Sequence, residues 1–581
     1  MPGIYNMLDI SRWALHANTR ALDTVSHNVA NVNTAGYSRQ ETVLATRGAQ
    51  FASEGWYGNG VKVANVIQHV DKLIQQQITD KSTQMGYYDS RLSQLQRLEA
   101  LDNEAGDSSL GKSLTSFFNA WQQLSLNSES TAVRQAVRES AQNLASRLNT
   151  ISQDLAQVKR DLNGYLGAGV TEINQICRRI ADLNSKIIST EAMGKAANDF
   201  RDERQRQIED LSQKLNIQWF EDGKGSVSIF TGQGAVLVQE NYPRSGDADP
   251  LAFQEMTGYT DKQVVWTGTN QVLGTTQITG GELGAWLKVR DEDLQGMQDF
   301  MDELTENLVW EVNFQHSQGT GQTKFTDVTG TYKSVDYQTA LNASTNTLPF
   351  KDQLQSGSLT VWVYEAGTRR SYTVNVDPND HITAVAQKIN AVINPTLNAS
   401  LNPVATVENG QQLRFHATGG IEFSFANDTS GLLAAMGINT FFDGYNAGNL
   451  GVNALVQADV ARIAAGRLLA SGEQAVGDNS NALDLADLKD LDAMASGTQT
   501  FNEAVISFAS SLGSDIANTE DSQTFAQSAN TQLQNMRDQV SAVNLDEEMI
   551  KMIQYQRAYQ SAAKMISVAD EMLQTLLNTK R

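Results

Sequence analysis

The side chains that most often carry acid–base, nucleophilic or metal chemistry are few and scattered in this sequence. Its six histidines, His16, His27, His69, His316, His381 and His416, stand apart from one another and from the single cysteine, Cys177. Neither His-Glu-x-x-His nor Gly-x-Ser-x-Gly occurs, so the local signatures of a zinc hydrolase and of a serine nucleophile are missing. His16 and His27 lie eleven residues apart and so share one face of a helix. A packing edge or a solvated position accounts for them better than a metal pair. One cysteine builds neither a disulfide framework nor a thiolate zinc site, and Cys177 sits inside an apolar helical ladder, where a buried structural thiol is expected. Thr231-Gly232-Gln233-Gly234 invites comparison with a phosphate loop but lacks a third glycine, a lysine and a following helix, which leaves a hairpin turn. Gly477-Asp478-Asn479-Ser480-Asn481 clusters oxygens as a calcium loop does, yet Ala482 stands where the third ligand should be, so a helix cap before Leu483 is the better reading. No catalytic residue, cofactor or metal is expected, and the chain reads as a non-enzyme.

With chemistry set aside, the informative elements are the two ends. From Leu545 to Leu577 there is no Gly or Pro, and Met549, Met552, Tyr559, Ala562, Ile566, Ala569, Leu573 and Leu576 recur at spacings of three, four or seven. That spacing lines one stripe of a helix about 50 Å long, with Gln556 its one polar member. The N-terminus carries a similar seam in Ile4, Leu8, Leu15, Leu22, Val25, Val29 and Val32, a heptad ladder whose missing rungs are Ser11 and Asn18. Helices with a single greasy seam depend on packing for stability. These two are expected to pair with each other or with the same ends of neighbouring copies.

Bulk properties narrow the class. At 581 residues the chain exceeds one core, and 40% hydrophobic content suffices for packed domains. No apolar run is long enough to span a membrane, and Asp9, Arg12, Asn18 and Arg20 interrupt any secretory-signal core. The net charge of −22 is uneven: residues 1–40 sum to +1 and residues 541–581 to 0, which leaves −23 for the middle. Near-neutral ends pack closely, while an acidic middle stays solvated and makes nucleic acid an unsuitable partner.

The first helix stops at Asn31-Val32-Asn33-Thr34-Ala35-Gly36, where Gly36 can take a positive φ and the asparagines can close Asx turns. From Val70 to about Asn216 apolar residues recur at helical spacing; the ladder slips phase around Gly164–Gly169, which predicts two long helices or one with a break. Phe117, Phe118 and Trp121 are expected to cap their packing. Residues 219–282 alternate like strands, with Asp222-Gly223 a hairpin turn, and a helix follows from Leu283 to about Gln315. Residues 320–450 read as a compact β-rich insertion: a hairpin of Ser358–Tyr364 and Arg370–Val376 across Ala366-Gly367-Thr368, a helix from about His381 to Ile393, and strands near Val404–Val407, Leu413–His416 and Ile421–Phe425. Helix is expected to resume at Ala454.

The run Asn28-x-x-Asn31-x-x-Thr34-x-Gly36-Tyr37-Ser38-Arg39-Gln40, directly after an amphipathic helix, resembles the signature of the bacterial flagellar axial proteins, the family of rod, hook and hook-associated proteins. Ala35 departs from the proline common at its place, which loosens the turn and leaves its neighbours intact. Tyr555-Gln556-Arg557-Ala558-Tyr559-Gln560, then Ala563-Lys564, Asp570-Glu571 and Thr575-Leu576, is similar to the closing helix of the same family. Leu450-Gly451-Val452-Asn453-Ala454, Asp459, Ile463-Ala464-Ala465-Gly466 and the Gly477–Leu483 run resemble its hook-associated branch, which a long helical middle fits better than it fits rod or hook proteins.

The resemblance implies a multidomain, mainly α protein in concentric layers. These are a terminal helical inner domain (1–40 plus 541–581), a long-helix bundle (41–319 plus 451–540) with a β-hairpin insertion at about 219–282, and the outer 320–450 domain. It implies export through the flagellar type III channel to an extracellular position and a ring of subunits joining hook to filament. The partners it implies are further copies of the chain, the hook protein, a second junction protein on the filament side, and a cytoplasmic export chaperone on the C-terminal helix; neither nucleic acid nor membrane is among them. Assembly residues are then Leu15, Leu22, Val25 and Val29 on one helix, Tyr559, Ile566, Leu573 and Leu576 on the other, and Asn31, Thr34, Gly36 and Tyr37 at the turn. A rod or hook protein, or a secreted coiled-coil adhesin or effector, is the competing reading.

Overall fold

The computed structural model describes residues 2–52, 55–101, 109–243, 246–396 and 404–579. The chain divides into two compact units, one of residues 1–94, 161–292 and 516–581 and the other of residues 95–160 and 293–515. It is mainly helical with several small antiparallel sheets, as the sequence pattern implies.

The first unit holds both chain ends. Helix Pro2–Ala30 leads through a turn to an antiparallel ribbon of Gln40–Thr46 and Val61–Gln68, which carries a short hairpin of Gln50–Ala52 and Gly55–Tyr57. The core lies further along the chain. Leu166, Val170, Ile173, Ile176, Cys177 and Ile180 of the long helix Thr131–Ala192 pack with Ile208 and Leu211 of helix Asn198–Lys214 and with two three-stranded sheets. Burial pushes the Cys177 thiol up to about 12, so it stays an inert core group. The Gly232-Gln233-Gly234 segment is a closed hairpin turn: the Ala235 N–H donates to Thr231 Oγ1 at 3.0 Å and the Thr231 N–H to the Ala235 carbonyl at 2.8 Å.

The expected break at Gly164–Gly169 is absent, and one helix of 62 residues runs through it. Leu162, Leu166, Val170 and Ile173 are all buried at spacings of three and four, so the ladder never loses phase. Gly167 and Gly169 answer to packing instead of breaking the helix. A Cβ on Gly169 would come within 2.8 Å of the Trp286 ring, and one on Gly167 within 3.3 Å of Phe253. Two aromatic rings lie where side chains would stand, and that burial offsets the roughly 1 kcal/mol cost of each helical glycine.

The second unit is built on helices Leu110–Leu126 and Leu294–Ser317 and on residues 131–160 of the long helix. Phe117, Phe118 and Trp121 are fully buried against Phe441, Phe442 and Phe501, an aromatic cluster of edge-to-face, tilted and stacked pairs. His316 is 1% exposed beside it; its Nδ1 lies 2.8 Å from the Asn439 carbonyl oxygen, and its Nε2 accepts the Ala464 N–H at 2.9 Å. Both contacts fit the neutral ring with hydrogen on Nδ1, and burial pulls its pKa down to about 4.

In the same unit, strands Gly357–Glu365 and Thr368–Val376 pair with Glu365 opposite Thr368, across Ala366 (φ 47°) and Gly367 (φ 82°). Two consecutive positive φ values give the tight turn whose twist matches the strands. Glu422–Ala426 completes that sheet, and helix Ile382–Ile393 lies close to strands Thr368–Val376 and Ala405–Glu408.

The helix expected to resume at Ala454 is only Ala454–Ala458, followed by a single tight turn at Val460–Arg462. Asp459 ends the first in extended backbone and caps the second, accepting the Ala461 N–H at 2.9 Å. In the oxygen cluster at 477–481 the N-cap residue Asn479 of helix Ser480–Asp487 makes no side-chain cap bond, and Asp478 just before it meets the first helical N–H. Asp478 accepts the Ser480 N–H at 3.1 Å and the Arg467 N–H at 2.6 Å.

Candidate assembly site

Helix Leu545–Thr579 packs along helix Pro2–Ala30, so the two ends pair within one chain. The buried stripe differs from the leucine ladder. On the first helix it is Ser11, Ala17, Ala21, Thr24, Val25 and Asn28, and on the closing helix Glu548, Ala562 and Ala569. Small side chains let the two backbones approach closely. Ser11 and Thr24 satisfy their hydroxyls by donating to the carbonyls four residues back, Met7 and Arg20. Of the residues singled out from sequence, Val25 is buried, while Leu15, Leu22, Val29, Ile566 and Leu573 flank the stripe half-buried. Tyr559 and Leu576 stay 41% and 39% exposed.

The turn after the first helix converges on Asn28, which is fully buried. Its Nδ2 donates to the Gln40 carbonyl at 2.8 Å and to Glu548 Oε2 at 2.9 Å, while its Oδ1 accepts the Tyr37 hydroxyl at 2.8 Å and the Gln40 N–H at 3.0 Å. One amide thereby ties the first helix, the turn and the closing helix together. Arg39 adds two links to the far end: its N–H donates to the Ser541 carbonyl at 2.8 Å and its guanidinium pairs with Glu547 at 3.0 Å.

Asn31 and Thr34 shape the turn itself. The Asn31 Nδ2 donates to the His27 carbonyl at 3.0 Å, and the Thr34 hydroxyl donates to Asn31 Oδ1 at 3.1 Å. Gly36 takes φ +71°, and a Cβ there would stand 2.7 Å from Arg206 Cγ, so both conformation and space demand glycine. Arg206 donates to the carbonyl of Ala35 at 3.2 Å, a tether on the turn's own backbone.

Tyr37 is pushed above its ordinary pKa by burial and by the nearby carboxylates of Asp199, Asp202 and Glu548, which keeps its hydroxyl a donor. Asp202, 5% exposed, accepts the Ser38 N–H at 3.0 Å; burial raises it to about 6 against the opposing pull of that bond. The turn residues Asn31, Thr34, Gly36 and Tyr37 thus share one network, whereas Leu15, Tyr559 and Leu573 lie along the helices away from it. Glu548, Asp202, Ser541 and Arg206 escaped the sequence reading. Glu548 sits in an Asp-Glu-Glu run that suits any helix start, and only its tertiary partner sets it apart. Among the described residues no group of three or more His, Cys, Asp or Glu side chains is placed to hold a metal ion.

Comparison with known proteins fits this geometry. Residues 8–37 match the family described as flagella basal body rod protein, and residues 538–579 match the C-terminal family of the flagellar basal body rod FlgEFG proteins. Those two segments are the paired helices and the turn, and both are similar to segments of bacterial flagellar axial proteins. Residues 95–332 match the helical domain of the flagellar hook-associated protein FlgK. Flagellar hook-associated protein 1 of Escherichia coli is 26% identical over 97% of this chain and 98% of its own length; that of Salmonella typhimurium is 27% identical over the same shares. The Bacillus subtilis protein of that name is 26% identical over 100% and 99%. The solved structure of the flagellar hook junction protein FlgK from Burkholderia pseudomallei aligns over 80% of this chain and 100% of that one, with a TM-score of 0.53 at 17% identity. Over nearly its whole length the chain is thus similar to flagellar hook-associated protein 1.

Proposed function

We propose that this chain is a structural subunit of the hook–filament junction of the bacterial flagellum, locked into a ring with its own copies through the paired terminal helices. The observation that carries the reading is the helix pair itself. Its shared stripe is mostly alanine, serine and threonine, while larger side chains at Tyr559 and Leu576 remain exposed. Burial of such exposed side chains against neighbouring copies would stabilise the paired ends by mass action.

On this reading the subunit leaves the cell unfolded through the type III export channel, its C-terminal helix masked beforehand by a chaperone. The terminal pair then forms the innermost layer, with residues 41–319 plus 451–540 outside it and 320–450 outermost. The hook protein borders the ring on one side and a second junction protein on the other.

The test is a chain lacking residues 545–581, expressed in flagellated cells whose own copy is deleted. Loss of the truncated chain from isolated hook–basal bodies, with the helical circular dichroism of the purified remainder retained, is the expected result. Normal incorporation of the truncated chain would refute it.

A further inference from the structure

The hairpin of Gln50–Ala52 and Gly55–Tyr57 exposes three aromatic side chains, Phe51 at 66%, Trp56 at 73% and Tyr57 at 42%. Phe51 and Trp56 meet edge to face with centroids 5.4 Å apart, so they present a shaped knob. At about 200 Å2 per aromatic side chain these fractions leave roughly 350 Å2 bare, within the size of the patches that monomers keep for a purpose. A stable interface takes about 800 Å2 from each partner, so the knob supplies close to half of one side.

The knob stands on a firm base. A Cβ on Gly60 would lie 3.3 Å from the Ile10 backbone, and Arg47 stacks 4.1 Å from the Trp13 ring centroid while pairing with Asp9 at 3.3 Å. The base of the hairpin is therefore continuous with the first helix.

The same unit holds a surface of matching chemistry. Leu545, Met549 and Ile553, spaced four apart on the closing helix, are 45%, 50% and 48% exposed. They lie a third to a half turn around that helix from Ala562 and Ala569, which face the first helix, at about 100° per residue. A methionine flanked by aliphatic side chains adapts to aromatic rings and contacts them favourably. Charges at the two margins also match: Lys62 is exposed at the hairpin's base, and Asp546 is exposed beside the strip.

We propose that the aromatic hairpin of one copy seats on the Leu545–Met549–Ile553 strip of the next copy. The two surfaces differ, so the contact is head-to-tail, and repeated by a closing rotation it makes a ring. The inference rests on the assembly reading above and names the surfaces that would carry it.

The test puts a photoreactive benzoylphenylalanine in place of Trp56 in the full chain, in flagellated cells whose own copy is deleted. Hook structures are then isolated, illuminated and digested. A band of twice the chain's mass, with the cross-link mapped to a peptide spanning 545–553, is expected. Met549→Asp should cut its yield at least tenfold, while Leu483→Asp, an exposed site in the other unit, should not. Incorporation with no cross-link, or a cross-link to a different protein, overturns the contact and leaves the assembly reading standing. Absence of the unmodified chain from the isolated structures overturns the assembly reading, and this contact with it.

Discussion

Replacing Asn28 with alanine removes four hydrogen bonds from one fully buried point. The Gln40 N–H and carbonyl lose their partner, the Tyr37 hydroxyl is left with only His27 Nδ1, 3.0 Å away, and Glu548, 1% exposed, loses the donor to one carboxylate oxygen. Each buried group left unpaired costs about 1–3 kcal/mol, more when charged. The losses overlap because all four groups border one gap, so an overall cost of about 3–5 kcal/mol is expected. At 1.4 kcal/mol per decade that is a fall of at least a hundredfold in amide-exchange protection. The fall should be confined to peptides covering 20–42 and 541–560, with peptides from 170–180 in the core as the internal reference.

Asn28→Asp gives the sharper version. It keeps the size but sets a carboxylate about 3 Å from Glu548 Oε2, where like charges cannot both ionise cheaply. It should open the joint at least as far as Asn28→Ala does. Unchanged protection around residues 28 and 548 in Asn28→Ala, or an equal loss throughout the chain, would refute the view of Asn28 as a local tie.

Three further outcomes follow from the structure. His316 is held neutral with a folded pKa of about 4, below its ordinary value near 6.5, so its folded state binds fewer protons than its unfolded state between those values. Its contribution is complete above about pH 6.5 and is lost as pH falls toward 4, on the order of 3 kcal/mol; urea midpoints measured across that window should slope accordingly, and His316→Gln should flatten the slope. Gly164→Ala, with nothing within 4 Å of the new methyl, should raise stability by about 0.5–1 kcal/mol, whereas Gly169→Ala, aimed at Trp286, should lower it by about 1–3 kcal/mol in thermal unfolding. Chains lacking 545–581 should lose the Asn28–Glu548 tie and show fast exchange over residues 20–40 while the core around Cys177 stays protected.

Much of the secondary structure was readable because its signals are local. The closing helix, the first helix, the hairpin across Ala366-Gly367 and the cap before Leu483 follow from periodicity and turn chemistry that need no tertiary partner. The errors arose where packing overrode a local cue. Gly164–Gly169 looked like a break because glycine weakens a helix, yet at Gly167 and Gly169 aromatic rings needed the space. The apolar spacing after Ala454 suggested a helix, yet Asp459, in extended backbone, ended it and captured the Ala461 N–H. At the candidate site the leucine ladder drew attention to large side chains, while the buried stripe turned out to be alanine, serine and threonine. Close approach of two backbones rewards small residues, and hydrophobicity scales give them little weight. Glu548 was unreadable for a different reason: an acid at a helix start is ordinary until a buried amide is found opposite it.

The tie between Asn28 and Glu548 spans 520 positions of sequence. A chain that emerges through a channel end first cannot make that bond until nearly all of itself is out, whichever end leads. For a subunit exported as proposed above, that joint would be the last contact to form, and it would need an intact tail. Any product cut short upstream of Glu548 would leave the buried Asn28 amide without its far-end partner.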